Sequence, residues 1–316
     1  MTVQLTSRLH SSWPKLPKKG RDLFRYLGAL ALFTPVLCAV AGCRDPRFAL
    51  LHEGNERSAA GADSSALVCY AAALRMDSAF SDAYYNRGLI YLRWGQLSQA
   101  ISELNVSIRY DPGSADAYRA RAAALKAYLN NLSSPDSCPV DLSLQRTSRF
   151  ATAVLLYRDL TRLIALDPYD VAVRADRVEC AAELGDIESM KQDLDRALRM
   201  EPDDVWLLNR RGRLKAELGN YRDAVQDYTR ALESCDSCAY LLYNRALAMM
   251  EQGELQPALD DLDAVLMSDP EDGPAWYARG RCFVMLGQIS EGEICLEKAT
   301  LLGVSDAALL LRRLRP

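Results

Sequence analysis

Histidine is nearly absent from this 316-residue chain, which contains only His10 and His52. Zinc sites and Ser/His/Asp triads combine a histidine with further ligands or catalytic groups at fixed spacing, and neither histidine has such neighbours. The GxxxxGK phosphate loop and the HExxH zinc motif are also missing from the sequence. We therefore expect no catalytic residue, no metal site and no enzymatic activity, and we interpret His52 as a surface or packing residue.

Basic residues are in deficit over most of the chain. Residues 1–42 carry six Lys or Arg and one acid, which leaves 32 basic and 41 acidic residues in 43–316, a net charge of −9. Nucleic-acid binding needs a basic face that neutralises phosphates, so this acidic body predicts no nucleic-acid partner. The cluster Arg312, Arg313 and Arg315 is too small to reverse that balance, and basic residues at the end of a helix are favourable.

Long apolar runs are equally scarce, and the clearest spans about 14 residues at 27–40. A membrane-spanning helix needs about 20 apolar residues, whereas a basic stretch followed by a shorter apolar run and small residues is typical of a secretory signal peptide. We expect residues 1–42 to form such a peptide. The alternative is an uncleaved signal anchor, in which Cys43 is incidental.

The end of this leader, Val40-Ala41-Gly42-Cys43, resembles the lipobox of bacterial lipoproteins. The resemblance implies that the Cys43 thiol receives a diacylglyceryl group, becomes the new N-terminus and is joined to the body by a lipid-anchored linker at 43–46. Covalent acyl chains hold a protein on a membrane, and no other cofactor is expected. The chain would be exported and would face the periplasm or the exterior. Arg44, where inner-membrane lipoproteins of some bacteria have aspartate, is a weak indication of the outer membrane.

An internal repeat occupies most of the chain. The segment 81–114 has Tyr84, Gly88, Tyr91, Gly95, Ala100, Leu104 and Pro112 at positions 4, 8, 11, 15, 20, 24 and 32. This pattern resembles the tetratricopeptide repeat (TPR), whose period is 34 residues. The same frame places repeats at 47–80, 81–114, 115–170, 171–204, 205–238, 239–272 and 273–306. The third repeat exceeds 34 residues by an insertion that we place near 131–152, between its two helices.

Three positions of the repeat have direct structural reasons. Position 8 is small in six of seven repeats, which lets two helices approach, and position 24 is Leu or Tyr, which fills the space between them. Position 15 is glycine in six repeats, which ends a helix because glycine adopts the left-handed cap conformation without cost. The resemblance implies an all-α fold, an α-solenoid of about seven helical hairpins in a right-handed superhelix, with a short capping helix at 307–316.

Arginine at position 7 recurs with an acid at position 23. The pairs are Arg87/Glu103, Arg121/Asp159, Arg177/Asp193, Arg211/Asp227 and Arg245/Asp261. We predict an ion pair across the two helices of each of these repeats, in preference to a catalytic or polyanion-binding role for the arginines. The first repeat lacks both residues, and the seventh has Arg279 with Cys295.

Cysteine is the one unusual chemical feature of the repeats. Cys235 and Cys238 replace the usual Asp-Pro of a turn between repeats. The sequence leaves three alternatives open for them, which are a local disulfide, two free thiols or a redox-active pair. Cys138 lies in the insertion and is free to pair with a partner. We interpret the cysteines inside repeat helices as small buried thiols, and these are Cys69, Cys180, Cys282 and Cys295.

The TPR resemblance also implies where a ligand would bind. Related proteins hold a peptide segment in the concave groove, mainly at positions 2, 5, 6, 9 and 12 of the first helix. In the fifth and sixth repeats the candidates are Trp206, Asn209, Arg210, Arg213, Tyr240, Tyr243 and Asn244. Exposed aromatic rings beside arginine and amide groups are typical of binding hot spots.

The sequence therefore favours a membrane-tethered scaffold or adaptor that binds an envelope protein or peptide. Two alternatives belong to other classes of protein. A ligand-binding component of an envelope transport system would require a closed apolar cavity, and a thiol-disulfide oxidoreductase would require a reactive thiol at Cys235 or Cys238. Self-association through the open ends of the solenoid is also possible.

Overall fold

A computed structural model describes residues 45–132, 142–235 and 238–315 of the chain. The described part is helical, without a strand, and it forms two compact units whose boundary lies between Asp159 and Leu160. The predicted leader and lipidation site, with Cys43, and Cys138 of the insertion lie outside the described residues. None of the described helices combines the length and the apolar character that a membrane span requires.

The first unit contains consecutive helical hairpins. Its helices are α1 (Pro46–Ala59), α2 (Asp63–Met76), α3 (Ser81–Arg93), α4 (Leu97–Tyr110), α5 (Ala115–Leu132) and most of α6 (Leu142–Leu166). The pairs α1 with α2 and α3 with α4 each fall within one 34-residue repeat of the sequence. Successive hairpins pack side by side, since α2 contacts α3 and α4 contacts α5.

The second unit continues the same arrangement from the end of α6. Its helices are α7 (Val171–Leu184), α8 (Ile187–Met200), α9 (Val205–Glu217), α10 (Tyr221–Glu233), α11 (Ala239–Gln252), α12 (Leu255–Ser268), α13 (Gly273–Met285), α14 (Ile289–Leu301) and α15 (Ser305–Leu314). Four hairpins, from α7 with α8 to α13 with α14, are followed by the single helix α15, which packs on α14.

A close contact between positions 8 and 24 joins the two helices of the hairpins that have glycine at position 8. At Gly212 a Cβ atom would lie 2.6 Å from the ring of Tyr228, and at Gly88 it would lie 2.8 Å from Leu104. The position-24 side chains are among the most completely buried in the described chain. Glycine at position 8 therefore lets the backbone of the first helix touch the large residue of the second.

The first helix of a repeat ends where glycine occupies position 15. Gly253 caps α11 with a φ of 80°, and its backbone N–H donates to the carbonyl of Met250 at 3.0 Å. Positive φ costs glycine little because it has no Cβ atom. The third repeat has Leu129 at this position, and α5 continues past it to Leu132.

The insertion of the third repeat is therefore placed differently from the sequence prediction. Residues near 131–152 were expected between the two helices, but α5 extends to Leu132 and α6 begins at Leu142. The prediction is wrong for 142–152, which belong to a helix of 25 residues. Without a glycine at position 15 the first helix has no left-handed cap, and the added residues lengthen helices.

The five predicted arginine–acid pairs are present across the hairpins. An arginine nitrogen lies 2.8 Å from Glu103 in the second repeat and 2.7 Å from Asp261 in the sixth. The hydrogen bonds that Arg211 donates to Asp227 raise the pKa of Arg211, while burial raises the pKa of the carboxyl group of Asp159. The guanidinium groups are thus engaged by carboxylates inside the repeats, as the structural interpretation of these arginines requires.

Four of these arginines, all except Arg87, also bond to the preceding repeat, which the sequence did not predict. Arg211 pairs with Asp195 of the fourth repeat at 3.1 Å, and Arg245 donates to Thr229 of the fifth at 3.3 Å. Both partners occupy position 25, two residues after the acid. Each of these four arginines therefore joins two helices of its own repeat and one helix of the repeat before it.

Candidate peptide-binding groove

Two exposed aromatic side chains begin the first helices of the fifth and sixth repeats. Trp206 is 40% exposed and Tyr240 is 50% exposed, although their neighbours Leu207, Leu208 and Leu241 are buried. Residues three, four and seven positions apart share one face of a helix. Trp206 consequently lies on the same side of α9 as Asn209, Arg210 and Arg213.

An amide pair links these two helices. Asn244 of α11 donates from Nδ2 to Oδ1 of Asn209 in α9 at 3.0 Å, and both side chains are half-buried. An amide side chain has two donor hydrogens and a two-lone-pair acceptor. The bond therefore leaves the amino group of Asn209 and the carbonyl oxygen of Asn244 to meet a ligand.

The other sequence candidates are in different environments. Arg210 is paired with Glu179 of α7, where Nε lies 3.1 Å from Oε1 but is not aligned for a hydrogen bond. Tyr243 packs against the buried cluster of the sixth and seventh repeats, and burial raises the pKa of its hydroxyl. Tyr243 thus contributes mainly to packing, while Arg210 contributes a largely neutralised charge.

A cavity of about 260 Å³ opens beside the amide pair. Side chains from three first helices and from α10 line it, and they include Arg213, Glu217, Tyr228, Asn244, Glu251 and Arg281. Arg213 is 4.0 Å from Glu217, and Arg281 is 3.6 Å from Glu251. This wall alternates positive and negative charge and differs from the closed apolar chamber that the small-molecule alternative predicts.

Arg281 is a groove residue that sequence reasoning missed. It occupies position 9 of the seventh repeat, as Arg213 does in the fifth. The candidates from the sequence ended at the sixth repeat, although position 9 was among the expected groove positions. Extending that position by one repeat would have found Arg281. Tyr228 was assigned to packing, which its burial supports, yet its side chain also reaches the cavity.

The cysteines of the described residues are either joined in a disulfide or buried. Cys235 and Cys238 form a disulfide with Cα atoms 5.7 Å apart. The free thiols within helices are all buried, and burial raises the pKa of Cys282 and of Cys295. A raised pKa disfavours the nucleophilic thiolate at neutral pH, so neither thiol is suited to catalysis.

Histidine and carboxylate groups form no cluster of three metal-ligating side chains within the described residues. His52, the one described histidine, lies 3.6 Å from Glu56 one turn along α1. His52 is half-buried on the surface of this helix. The helices, their repeated contacts and this groove define a helical-repeat protein of the α-solenoid class.

Residues 69–102 and 209–299 of this chain are tetratricopeptide repeats. Two family models described as "Tetratricopeptide repeat" match it, one at residues 209–272 and 243–299 and the other at 69–102. The chain matches none of the curated protein sequences.

Solved structures align with this chain. PilF of Pseudomonas aeruginosa aligns with a TM-score of 0.52 and 17% identity, over 75% of this chain and 98% of that one. A tetratricopeptide repeat protein from Parabacteroides merdae aligns with a TM-score of 0.48 and 17% identity, over 86% of this chain and 99% of that one. At such identity the resemblance to PilF establishes the solenoid fold alone.

Proposed function

We propose that this protein is a lipid-anchored adaptor of the bacterial cell envelope that binds a segment of a protein partner in the groove of its fifth to seventh repeats. Tetratricopeptide repeats typically form non-catalytic scaffolds for protein–protein interaction, which supports a binding role. The envelope location and the tether rest on the leader sequence and on Cys43. The groove rests on the geometry of α9, α11 and α13.

The amide pair is the observation that carries the proposed binding mode. Asn209 and Asn244 are fixed to each other at 3.0 Å and keep one donor and one acceptor available. A peptide backbone presents N–H and C=O groups at every residue, and amide side chains can bind both without regard to sequence. Trp206 and Tyr240 then offer apolar surface with little loss of side-chain entropy, which suits them as anchors.

The charges of the groove indicate a partner segment of mixed charge. Arg213 and Arg281 have Glu217 and Glu251 beside them, so the wall carries no strong excess of either sign. A strongly acidic or strongly basic segment would meet like charges along this surface. We therefore propose an extended segment with apolar side chains for the aromatic residues and balanced charge beyond them.

The groove can be tested by crosslinking pull-down from native membranes. The wild-type chain is compared with a Trp206→Ala/Tyr240→Ala variant and with a Met267→Ala/Leu301→Ala control, whose side chains are exposed on second helices. We expect a discrete envelope protein to be captured by wild type and by the control, and to be lost with the groove variant. Equal capture by all three chains would refute the assigned groove, and capture of no protein at all would favour the small-molecule alternative.

The tether needs a separate measurement. Wild type and a Cys43→Ala variant are expressed in a bacterium fed radiolabelled palmitate, and the membrane and soluble fractions are compared. We expect label and membrane retention in wild type and the loss of both in the variant, since acyl chains supply the anchor. Label in the Cys43→Ala chain would contradict lipidation at this residue.

A further inference from the structure

Three turns between repeats, at 111–114, 167–170 and 269–272, are each stabilised by two side chains at fixed positions. At position 31 an aspartate accepts a backbone N–H from two residues further on, as in Asp111 with Gly113 at 3.0 Å and Asp269 with Glu271 at 2.9 Å. At position 34 another polar side chain caps the next helix. Asp272 accepts the N–H of Ala275 at 2.8 Å, and Asp204 accepts that of Leu207 at 2.8 Å.

The turn between the fifth and sixth repeats has neither the aspartate at position 31 nor a side-chain cap at position 34. Cys235 occupies position 31 and Cys238 occupies position 34, where it precedes α11 without a side-chain cap. The disulfide joins these two side chains. A covalent bond therefore stands where the turns at 111–114, 167–170 and 269–272 have two side-chain hydrogen bonds.

Backbone hydrogen bonds also connect the described residues of this turn. The N–H of Cys238 donates to the carbonyl of Cys235 at 3.3 Å, and the N–H of Leu241 donates to Cys238 at 2.8 Å. Both cysteines are half-buried, so a small reductant can reach the sulfur atoms. The helix turn that follows presents Tyr240 to the groove.

We propose that the Cys235–Cys238 disulfide is a redox-sensitive latch that holds the first turn of α11. A dithiol reductant attacks one sulfur as its thiolate, forming a mixed disulfide and releasing the other cysteine. Its second thiol then displaces the first, so that two electrons and two protons pass to the protein and the reductant becomes a cyclic disulfide. The opened turn has no side-chain cap, and the start of α11 frays more often.

Hydrogen exchange of the full chain tests the latch without any partner. With dithiothreitol as reductant, we expect the backbone amides of Leu241 and Leu242, which donate to the carbonyl of Cys238, to exchange roughly tenfold faster. This acceleration corresponds to the loss of about one helix cap. Amides at the start of α13, capped by Asp272, serve as the internal control. Mass spectrometry of the same sample follows the opening of the disulfide as a gain of two hydrogens.

Two variants keep the test decisive. Cys235→Asp/Cys238→Asp copies the side chains of the other turns, and we expect protection that does not respond to reductant. Cys235→Ala/Cys238→Ala has no latch and should exchange like the reduced wild type. Unchanged protection in fully reduced wild type would overturn the proposal, as would free thiols at both positions in protein isolated from the envelope. Any effect of the latch on partner binding additionally rests on the proposed function.

Discussion

The inner repeats and the seventh repeat close the same hairpin with different polar contacts. In the fifth repeat Arg211 bonds to Asp227 at 2.7 Å, whereas in the seventh Arg279 meets the sulfur of Cys295 at 3.0 Å. The apolar contact at positions 8 and 24 is present in both, through Gly212 with Tyr228 and Gly280 with Leu296. The apolar contact therefore closes the hairpin, and the ion pair is an addition to it.

The link to the preceding repeat survives in the seventh repeat. Arg279 pairs with Asp263 of the sixth repeat at 2.6 Å, as Arg211 pairs with Asp195 of the fourth. The arginine at position 7 therefore keeps its bond to the preceding repeat even where the acid of its own repeat is missing. From this comparison we expect that removing a buried acid changes the free energy of unfolding strongly. Supplying an acid where it is missing should change it little.

Removal of a buried acid should produce the largest effect. Asp193 is completely buried and bonds to both Arg174 and Arg177. Asp193→Ala leaves two arginines without this carboxylate, and we expect a loss of about 3–5 kcal/mol in the free energy of unfolding. Urea denaturation measures it, with the half-exposed Asp195→Ala as the matched control at less than about 1 kcal/mol. Equal losses in the two variants would contradict the account.

Overpacking of the apolar contact between positions 8 and 24 should cause the second-largest loss of stability. In Gly212→Ala the added methyl group meets the ring of Tyr228, and we expect a loss of about 1–3 kcal/mol. The sixth repeat has Ala246 with Leu262 at the same positions. Adding Tyr228→Leu to Gly212→Ala copies that pair and should recover part of the loss in urea denaturation. A double variant that is no more stable than Gly212→Ala would show that another contact closes the hairpin.

Alkaline pH should lower the stability of the fold through the buried tyrosines at position 24. Burial raises the pKa of Tyr70 and of Tyr228 above the ordinary value, so the folded state retains the proton that the unfolded state loses. The associated stability is present below about pH 10 and is lost as the pH rises towards the folded-state pKa, by about 1 kcal/mol per tyrosine at pH 11. Urea denaturation from pH 8 to 11 should show a shallower decline in Tyr228→Phe. An unchanged slope would mean that this hydroxyl titrates normally.

The smallest effect should come from supplying the missing acid. In Cys295→Asp the new carboxyl group can pair with Arg279, but its desolvation offsets the attraction, so we expect a change of less than about 1 kcal/mol. A double-mutant cycle with Arg279→Ala separates the pair energy from the cost of burial. Coupling of several kcal/mol would indicate that the seventh repeat had lost an essential contact.

The sequence predicts contacts that recur at fixed positions. Gly88 with Leu104 and Arg177 with Asp193 follow from a 34-residue period, because each residue type has one structural role at its position. The link from arginine to position 25 was missed, since that position varies between Asn105, Thr161, Asp195 and Thr229. The role of Tyr243 depends on long-range packing. The sequence placed it among the groove candidates, whereas the structure packs it against a buried cluster.

Site-specific photocrosslinking tests the proposed groove most directly. A photoreactive amino acid replaces Tyr240 in one chain and Met267, 86% exposed on the second helix of the same repeat, in another. Both chains are irradiated in native membranes, and the crosslinked segment is mapped by mass spectrometry. The account predicts one partner segment at position 240 and none of it at position 267. The same segment at both positions, or at 267 alone, would contradict binding in the groove.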